Sequence, residues 1–205
     1  MSAVPATTDQ AMLLRADAGG VTRLTLNPTW TVPPTILQQD KLPLIREDAG
    51  YLARHGMRVL DAQGNDLDPA SVDWHAPRNI MLRQEAGPAN PLGQVAIRFA
   101  NPFSVYLHDT PSKPLFDRTD RALSSGCVRV EGALQLVDLL LDEDERETVA
   151  RLLQTGKTHE YRLARRTPIL MAYWTATVDD NGQLRYRPDI YQRDAALLRA
   201  LQVTR

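Results

Sequence analysis

Apolar and polar residues alternate through V-T-R-L-T-L at 21–26, the period of a strand with one buried face. Shorter β-rich runs at 57–60, 80–83, 95–99 and 105–107, then at 161–163 and 169–178, predict further strands. D-D-N-G at 179–182 joins the last of these to 183–187, with Asn181-Gly182 a strong hairpin signal. D-A-Q-G-N-D at 61–66 reads as a polar turn and G-P-A-N-P-L-G at 87–93 as a loop. Between 33 and 54 the period changes. Thr35 is the predicted N-cap of a helix carrying Ile36, Leu37, Leu42, Leu44 and Ile45, kinked or divided by Pro43, and a second short helix takes 47–54. Residues 131–141 hold apolar side chains at 133, 134, 136, 137, 139, 140 and 141. That is too many for a narrow stripe and predicts a helix buried on much of its surface. A more amphipathic helix follows at 142–154, closed by Gly156, and 195–201 suits a short surface helix. Residues 1–20 read as a loose arm that adds at most one strand. The sum is a mainly β domain with helices, class α+β.

Composition adds bounds. The 205 residues fit one domain with a small subdomain, and 43% hydrophobic content is enough for a core. With 24 basic and 25 acidic residues the net charge is −1, so no nucleic-acid footprint exists and no nucleic-acid partner is expected. The first ten residues lack a basic region and an apolar run, so they are not a signal peptide. No stretch approaches the roughly 20 apolar residues of a membrane-spanning helix.

The chemistry concentrates in H-D-T-P-S-K-P-L-F-D-R-T-D-R-A-L-S-S-G-C-V-R-V-E, residues 108–131, which holds the single cysteine, Cys127. A thiol nucleophile needs a base and donors for the oxyanion that forms when it attacks a carbonyl. His108 supplies the first and the backbone N–H groups of Gly126 and Cys127 the second. The competing reading is a lone Cys acting as a small buried hydrophobe. Arg129, two residues on, is a candidate to grip a carboxylate, or a structural arginine. Tyr106, Trp30 and Trp74 either line a groove or belong to the core. His55, His75 and His159 have no partner at metal-like spacing, so neither metal nor cofactor is expected.

V-Y-L-H-D-T-P-S-K-P-L-F-D-R followed by R-A-L-S-S-G-C-V-R-V-E resembles the signature of the L,D-transpeptidases, the YkuD-type enzymes that cross-link peptidoglycan. The likeness is closest to their large, capped periplasmic branch. It extends to N-P-T-W-T-V-P-P, Y-L-A-R-H-G-M, V-D-W, R-Q-E-A-G-P-A-N-P-L-G and the Y-W-T-A and R-P-D-I-Y of the tail, covering roughly 21–194. The resemblance implies a β-sandwich with a mixed sheet and a catalytic domain over 21–194. A cap or lid is implied at about 33–76, and 195–205 is left as a tail. It implies Cys127 as nucleophile and His108 as base, the ring oriented by the backbone carbonyl of Asp109. Arg129 would hold substrate, with Arg121, Ser124, Ser125 and Tyr106 as further pocket residues. Ser125 stands where many members carry histidine. The implied reaction is 3→3 cross-linking through a thioester, with stem peptides as donor and acceptor, carbapenem-type inhibitors as ligands and a periplasmic setting. Hydrolysis of the same thioester, attachment to a lipoprotein lysine, or a non-catalytic wall-binding role remain alternatives. The branch usually carries modules upstream, so the chain reads as the catalytic portion of a longer protein.

Overall fold

The computed structural model describes residues 3–4, 20–119, 123 and 126–202. Its strands are β1 (Ala3–Val4), β2 (Gly20–Leu26), β3 (Trp30–Thr31), β4 (Met57–Asp61), β5 (Asp66–Leu67) and β6 (Ile80–Gln84). They continue as β7 (Val95–Phe99), β8 (Leu107–His108), β9 (Val128–Val130), β10 (His159–Pro168), β11 (Ala176–Val178) and β12 (Leu184–Tyr186). The helices are α1 (Pro34–Ile36), α2 (Leu42–Glu47), α3 (Tyr51–Arg54), α4 (Ala133–Leu140), α5 (Glu143–Gln154) and α6 (Asp194–Gln202). The class is α+β. The arm contributes β1, paired antiparallel to β9.

The main sheet runs β1-β9-β8-β7-β2-β10, with β8 and β9 parallel and the other neighbours antiparallel. Register carries the alternation of β2 across it: Leu24 pairs with Ile97, Thr25 with Ala96, Arg23 with Arg98, Ile97 with Leu107, and Leu107 with Val128. Side chains at alternate positions point to opposite faces. One face therefore collects Leu24, Leu26, Val95, Ile97, Val130 and Leu163, which pack with Ala133, Val137 and Leu140 of α4 and Val149 of α5. Each such burial is worth roughly 1.5–3 kcal/mol before chain entropy is charged against it.

Helix α4 is buried on less of its surface than expected. Ala133, Val137 and Leu140 face the sheet, whereas Leu134 is 37% and Leu139 69% exposed. The helix has the sheet on one side and solvent on the other, and Leu141, counted in its apolar run, leaves the helix in extended conformation to enter the core. Helix α5 opens with a capping box between Asp142 and Glu145. Glu145 also accepts from the backbone N–H of Ala164 at 2.9 Å and the Tyr161 hydroxyl at 3.2 Å, sewing the helix end to β10.

A second sheet, β3-β6-β4-β5, has its own core of Val32, Leu37, Leu42, Ile45, Tyr51, Leu52, Met57, Val59 and Leu82. Helical chain runs without a break from Pro34 to Glu47, with a wider π turn over Leu37–Lys41. Pro43, which can neither donate to the preceding turn nor tolerate a tight carbonyl there, follows that widened turn and does not break the helix. Thr35 lies inside α1, whose N-cap is Pro33. The second helix is shorter than 47–54, because Asp48 takes extended geometry and binds the Gly50 N–H at 2.9 Å, leaving α3 at Tyr51–Arg54.

Chain leaves the main sheet through 27–29 and returns through 85–94, and two asparagines lace this neck. Asn27, at φ +45°, donates to Leu153 O at 2.9 Å and Lys157 O at 3.2 Å. Asn90, 1% exposed, donates to Pro28 O at 2.9 Å and Glu85 O at 3.0 Å and accepts from Leu92 N at 2.9 Å. Beyond β10 the expected strand at 169–178 is regular only over Ala176–Val178, which pairs with Leu184–Tyr186 around Gly182 at φ +77°.

Candidate active site

The other face of the main sheet carries the polar residues. Ala96 lies opposite His108, Arg23 opposite Arg98, and His108 level with Arg129. The Val128 N–H donates to Tyr106 O at 3.0 Å, which sets Cys127 beside Tyr106 at the start of β9. Alternation then puts Arg98, Tyr106, His108, Cys127 and Arg129 on one face. The fold thus brings together a cysteine and a histidine separated by 19 positions of chain.

His108 is 5% exposed. Its Nδ1 donates to the backbone carbonyl of Asp109 at 2.5 Å, which leaves Nε2 as the unprotonated nitrogen. Burial, set against that hydrogen bond and reinforced by the charges of Arg129 and Arg98, brings its pKa down to about 4, so the imidazole is neutral near pH 7. The Asp109 carboxylate does not face the ring's work. It accepts from Gln94 N at 3.0 Å and Lys113 Nζ at 2.6 Å, and Lys113 also donates to Glu131 O at 3.1 Å. One ammonium thus joins the loop after β8 to the end of β9. Gly93, at φ +60°, closes the packing: a Cβ there would lie 2.3 Å from an Asp109 carboxylate oxygen.

Cys127 is half-buried. Burial holds its thiol above the ordinary range, while the Tyr106 backbone and hydroxyl and the charge of Arg98 pull the other way. Burial together with the neighbouring Cys127 sulfur pushes the Tyr106 phenol up to about 12, so it stays protonated and can act as a donor. The Tyr106 ring centroid lies 5.9 Å from that of His108 and 4.1 Å from the Arg98 guanidinium carbon. Gly126 sits at φ +147°, a conformation that favours glycine directly before the cysteine. Arg129 donates to Leu123 O at 3.1 Å, and burial lowers its pKa.

Arg121, Ser124 and Ser125 lie outside the described residues. Trp30 and Trp74 pack on the second core, Trp74 donating to Pro69 O at 3.0 Å, so both belong to the core and not to this face. His55 stacks on Tyr51 and His159 meets Thr155, and among the described residues no cluster of His, Cys, Asp and Glu could hold a metal. Arg98 escapes the sequence reading altogether. Its signal is parity: in V-A-I-R-F the apolar positions 95, 97 and 99 face the core, which turns 98 to the same side as the catalytic candidates.

One face of the sheet thus presents thiol, phenol and imidazole in a row, and comparison with known proteins gives the family. Residues 19–169 match the YkuD family, L,D-transpeptidase catalytic domain, and the chain belongs to that family. A Haemophilus influenzae protein named "Putative L,D-transpeptidase" is 38% identical over 182 residues, which are 85% of this chain and 36% of the relative. The chain spans about a third of the length of that curated relative.

Proposed function

We propose that the chain is the catalytic portion of a peptidoglycan L,D-transpeptidase that forms 3→3 cross-links through a Cys127 thioester. The observation that carries this is the row of Cys127, Tyr106 and His108 on one sheet face, with the His108 ring already turned by the Asp109 carbonyl. Cys127 attacks the diaminopimelate carbonyl of a donor tetrapeptide stem, and its proton passes to His108 Nε2. The carbonyl oxygen becomes an oxyanion held by the N–H groups of Gly126 and Cys127 and by the Tyr106 hydroxyl. Collapse breaks the C–N bond; His108 returns its proton to the departing D-alanine amine and a thioester remains. An acceptor side-chain amine then attacks that thioester and gives a proton to His108; the C–S bond breaks and His108 passes that proton to the departing sulfur, which restores the thiol and the neutral imidazole.

The resting pair is a neutral thiol and a neutral imidazole, because burial disfavours both charged forms. Proton transfer therefore accompanies attack. A substrate carboxylate on Arg129 offsets one of the charges that depress His108 and makes it a stronger base once substrate is bound. Ser124, Ser125 and Arg121 complete the pocket in this reading. The unit with the second core, at about 33–76, serves as the cap that keeps water from the thioester. The setting is the periplasm, and carbapenems acylate the same sulfur. No described helix is long and apolar enough to cross a membrane.

The test is intact mass after incubation with a carbapenem, in the parent and in Cys127→Ala. A stoichiometric adduct in the parent that vanishes in the variant supports the proposal; no adduct in either refutes it. Purified disaccharide-tetrapeptides then separate the outcomes, since cross-linked dimers indicate transpeptidation and tripeptides alone indicate hydrolysis.

A further inference from the structure

The polar face of the sheet holds a second row, which the acyl-transfer chemistry does not use. The Arg98 guanidinium lies over the Tyr106 ring, 4.1 Å from its centroid, and its Nε donates to Thr25 Oγ1 at 3.1 Å. Thr25 Oγ1 donates to Glu160 Oε1 at 2.7 Å, and Glu160 Oε2 is 3.1 Å from Arg23 Nε. The row crosses β10, β2 and β7 and ends on the Tyr106 ring beside β8, next to Cys127 across the Val128–Tyr106 backbone hydrogen bond.

We propose that Arg98 is a positioning residue for the nucleophile: held in place by Thr25 and Glu160, it fixes the Tyr106 ring and thereby aims its hydroxyl at Cys127. The proposal rests on Cys127 being the nucleophile. Arg23 and Arg98 are direct cross-strand neighbours, an arrangement of like charges that costs stability unless something offsets it. Glu160 and Thr25 provide the offset, and they leave one guanidinium free to stack on an aromatic ring. An arginine suits the task because its plane can stack while its Nε–H bonds sideways, which a lysine ammonium cannot do. The charge of Arg98 also bears on the thiol, the phenol and His108 together. Among the described residues the charged and titratable groups on this face are Arg98 from β7, Tyr106 and His108 at β8, Cys127 and Arg129 at β9, Arg23 from β2, and Glu160 and Arg162 from β10. His108 is neutral in the working range.

Cys127 is the single cysteine of the chain, so the rate of iodoacetamide alkylation against pH reports this thiol alone. Arg98→Gln should shift the alkylation midpoint to higher pH and slow alkylation at pH 7.5 by about tenfold, the equivalent of one pH unit. Thr25→Val, which keeps the side-chain shape, should shift it the same way by less, and Arg98→Lys should recover part of the parent rate. In a Tyr106→Phe background the effect of Arg98→Gln should be non-additive. Superimposable profiles for parent and Arg98→Gln, or full additivity with Tyr106→Phe, overturn the proposal. If Arg98→Gln does not fold, Thr25→Val decides alone: a shifted midpoint supports it and an unshifted one overturns it. Alkylation needs no wall substrate, so a failed carbapenem assay would sink the enzymatic reading while these profiles still report on Arg98.

Discussion

Asn90 is the most informative position in the neck between the two sheets. At 1% exposure it holds the carbonyls of Pro28 and Glu85 and the N–H of Leu92, with the Gln84 carbonyl at a longer 3.5 Å. Asn90→Leu keeps the branched shape with more bulk and removes every one of these partners. A buried polar group left unpaired costs about 1–3 kcal/mol. Glu85 lies nearer the surface and can turn to water, so the sum is about 3–5 kcal/mol, a large share of the roughly 5–15 kcal/mol that holds a domain folded. Asn90→Asp should fare no better: it keeps an acceptor for Leu92 N–H but turns a carboxylate toward two carbonyls. Urea unfolding followed by fluorescence tests this. With a slope of about 2 kcal/mol per molar, the midpoint should fall by about 2 M in Asn90→Leu with the slope unchanged. A loss below about 1 kcal/mol would refute the argument, because it would mean the neck satisfies its backbone without this side chain.

The other predictions concern single groups. The depressed pKa of His108, about 4 against an ordinary 6.5, means that the unfolded chain binds a proton which the folded chain refuses. Stability therefore falls as pH drops from 6.5 to about 4, by about 3 kcal/mol at roughly 1.4 kcal/mol per pH unit, and His108→Gln should lose that part of the slope in urea titrations. Gly93→Ala and Gly56→Ala make a matched pair at φ +60° and +57°. Both pay for left-handed backbone, but only Gly93 meets the Asp109 carboxylate, so its melting temperature should fall further, with an excess of about 1–3 kcal/mol. Glu145→Ala strips partners from Asp142 N–H, Ala164 N–H and the Tyr161 hydroxyl, and should lower the melting temperature by about 5–10 °C. An unchanged melt would show that water replaces all three.

Legibility in the sequence followed the range of the interactions. Strands β2, β4, β6 and β7 were readable because alternation is local, and so were the Asn181-Gly182 hairpin and the Asp142 start of α5. The α4 region misleads because period says which residues share a face but not how many faces a neighbour covers, and Leu134 and Leu139 are left in solvent. Thr35 looks like a cap, yet the residue that begins the helix follows Pro33, and the fixed φ of Pro34 starts the turn by itself. The site divides in the same way. His108 and Cys127 were found through the H-D-T and S-S-G-C patterns, since a gap of 19 residues carries no geometry. Arg98 could be placed beside Tyr106 only by knowing that β7 neighbours β8, and a non-local pairing leaves no mark on either strand.

The sheet makes core and candidate site from one alternation. Positions 95, 97, 107, 128 and 130 face the helices, and 96, 98, 106, 108, 127 and 129 face away. A slip of one residue in β8 would turn Leu107 outward and press Tyr106 and His108 into hydrocarbon, so register is enforced by the core and inherited by the chemistry. This explains why the chemistry can tolerate so short a strand. β8 is only Leu107–His108, but it is clamped by β7 on one side, by the parallel β9 on the other, and by Lys113 bridging Asp109 to Glu131 just past both strands. A loop could hold the same residues only by ordering each one separately, at a cost of roughly 1–2 kcal/mol of backbone entropy apiece. Here burial of the opposite face supplies that order, and the candidate thiol and imidazole inherit it from the sheet.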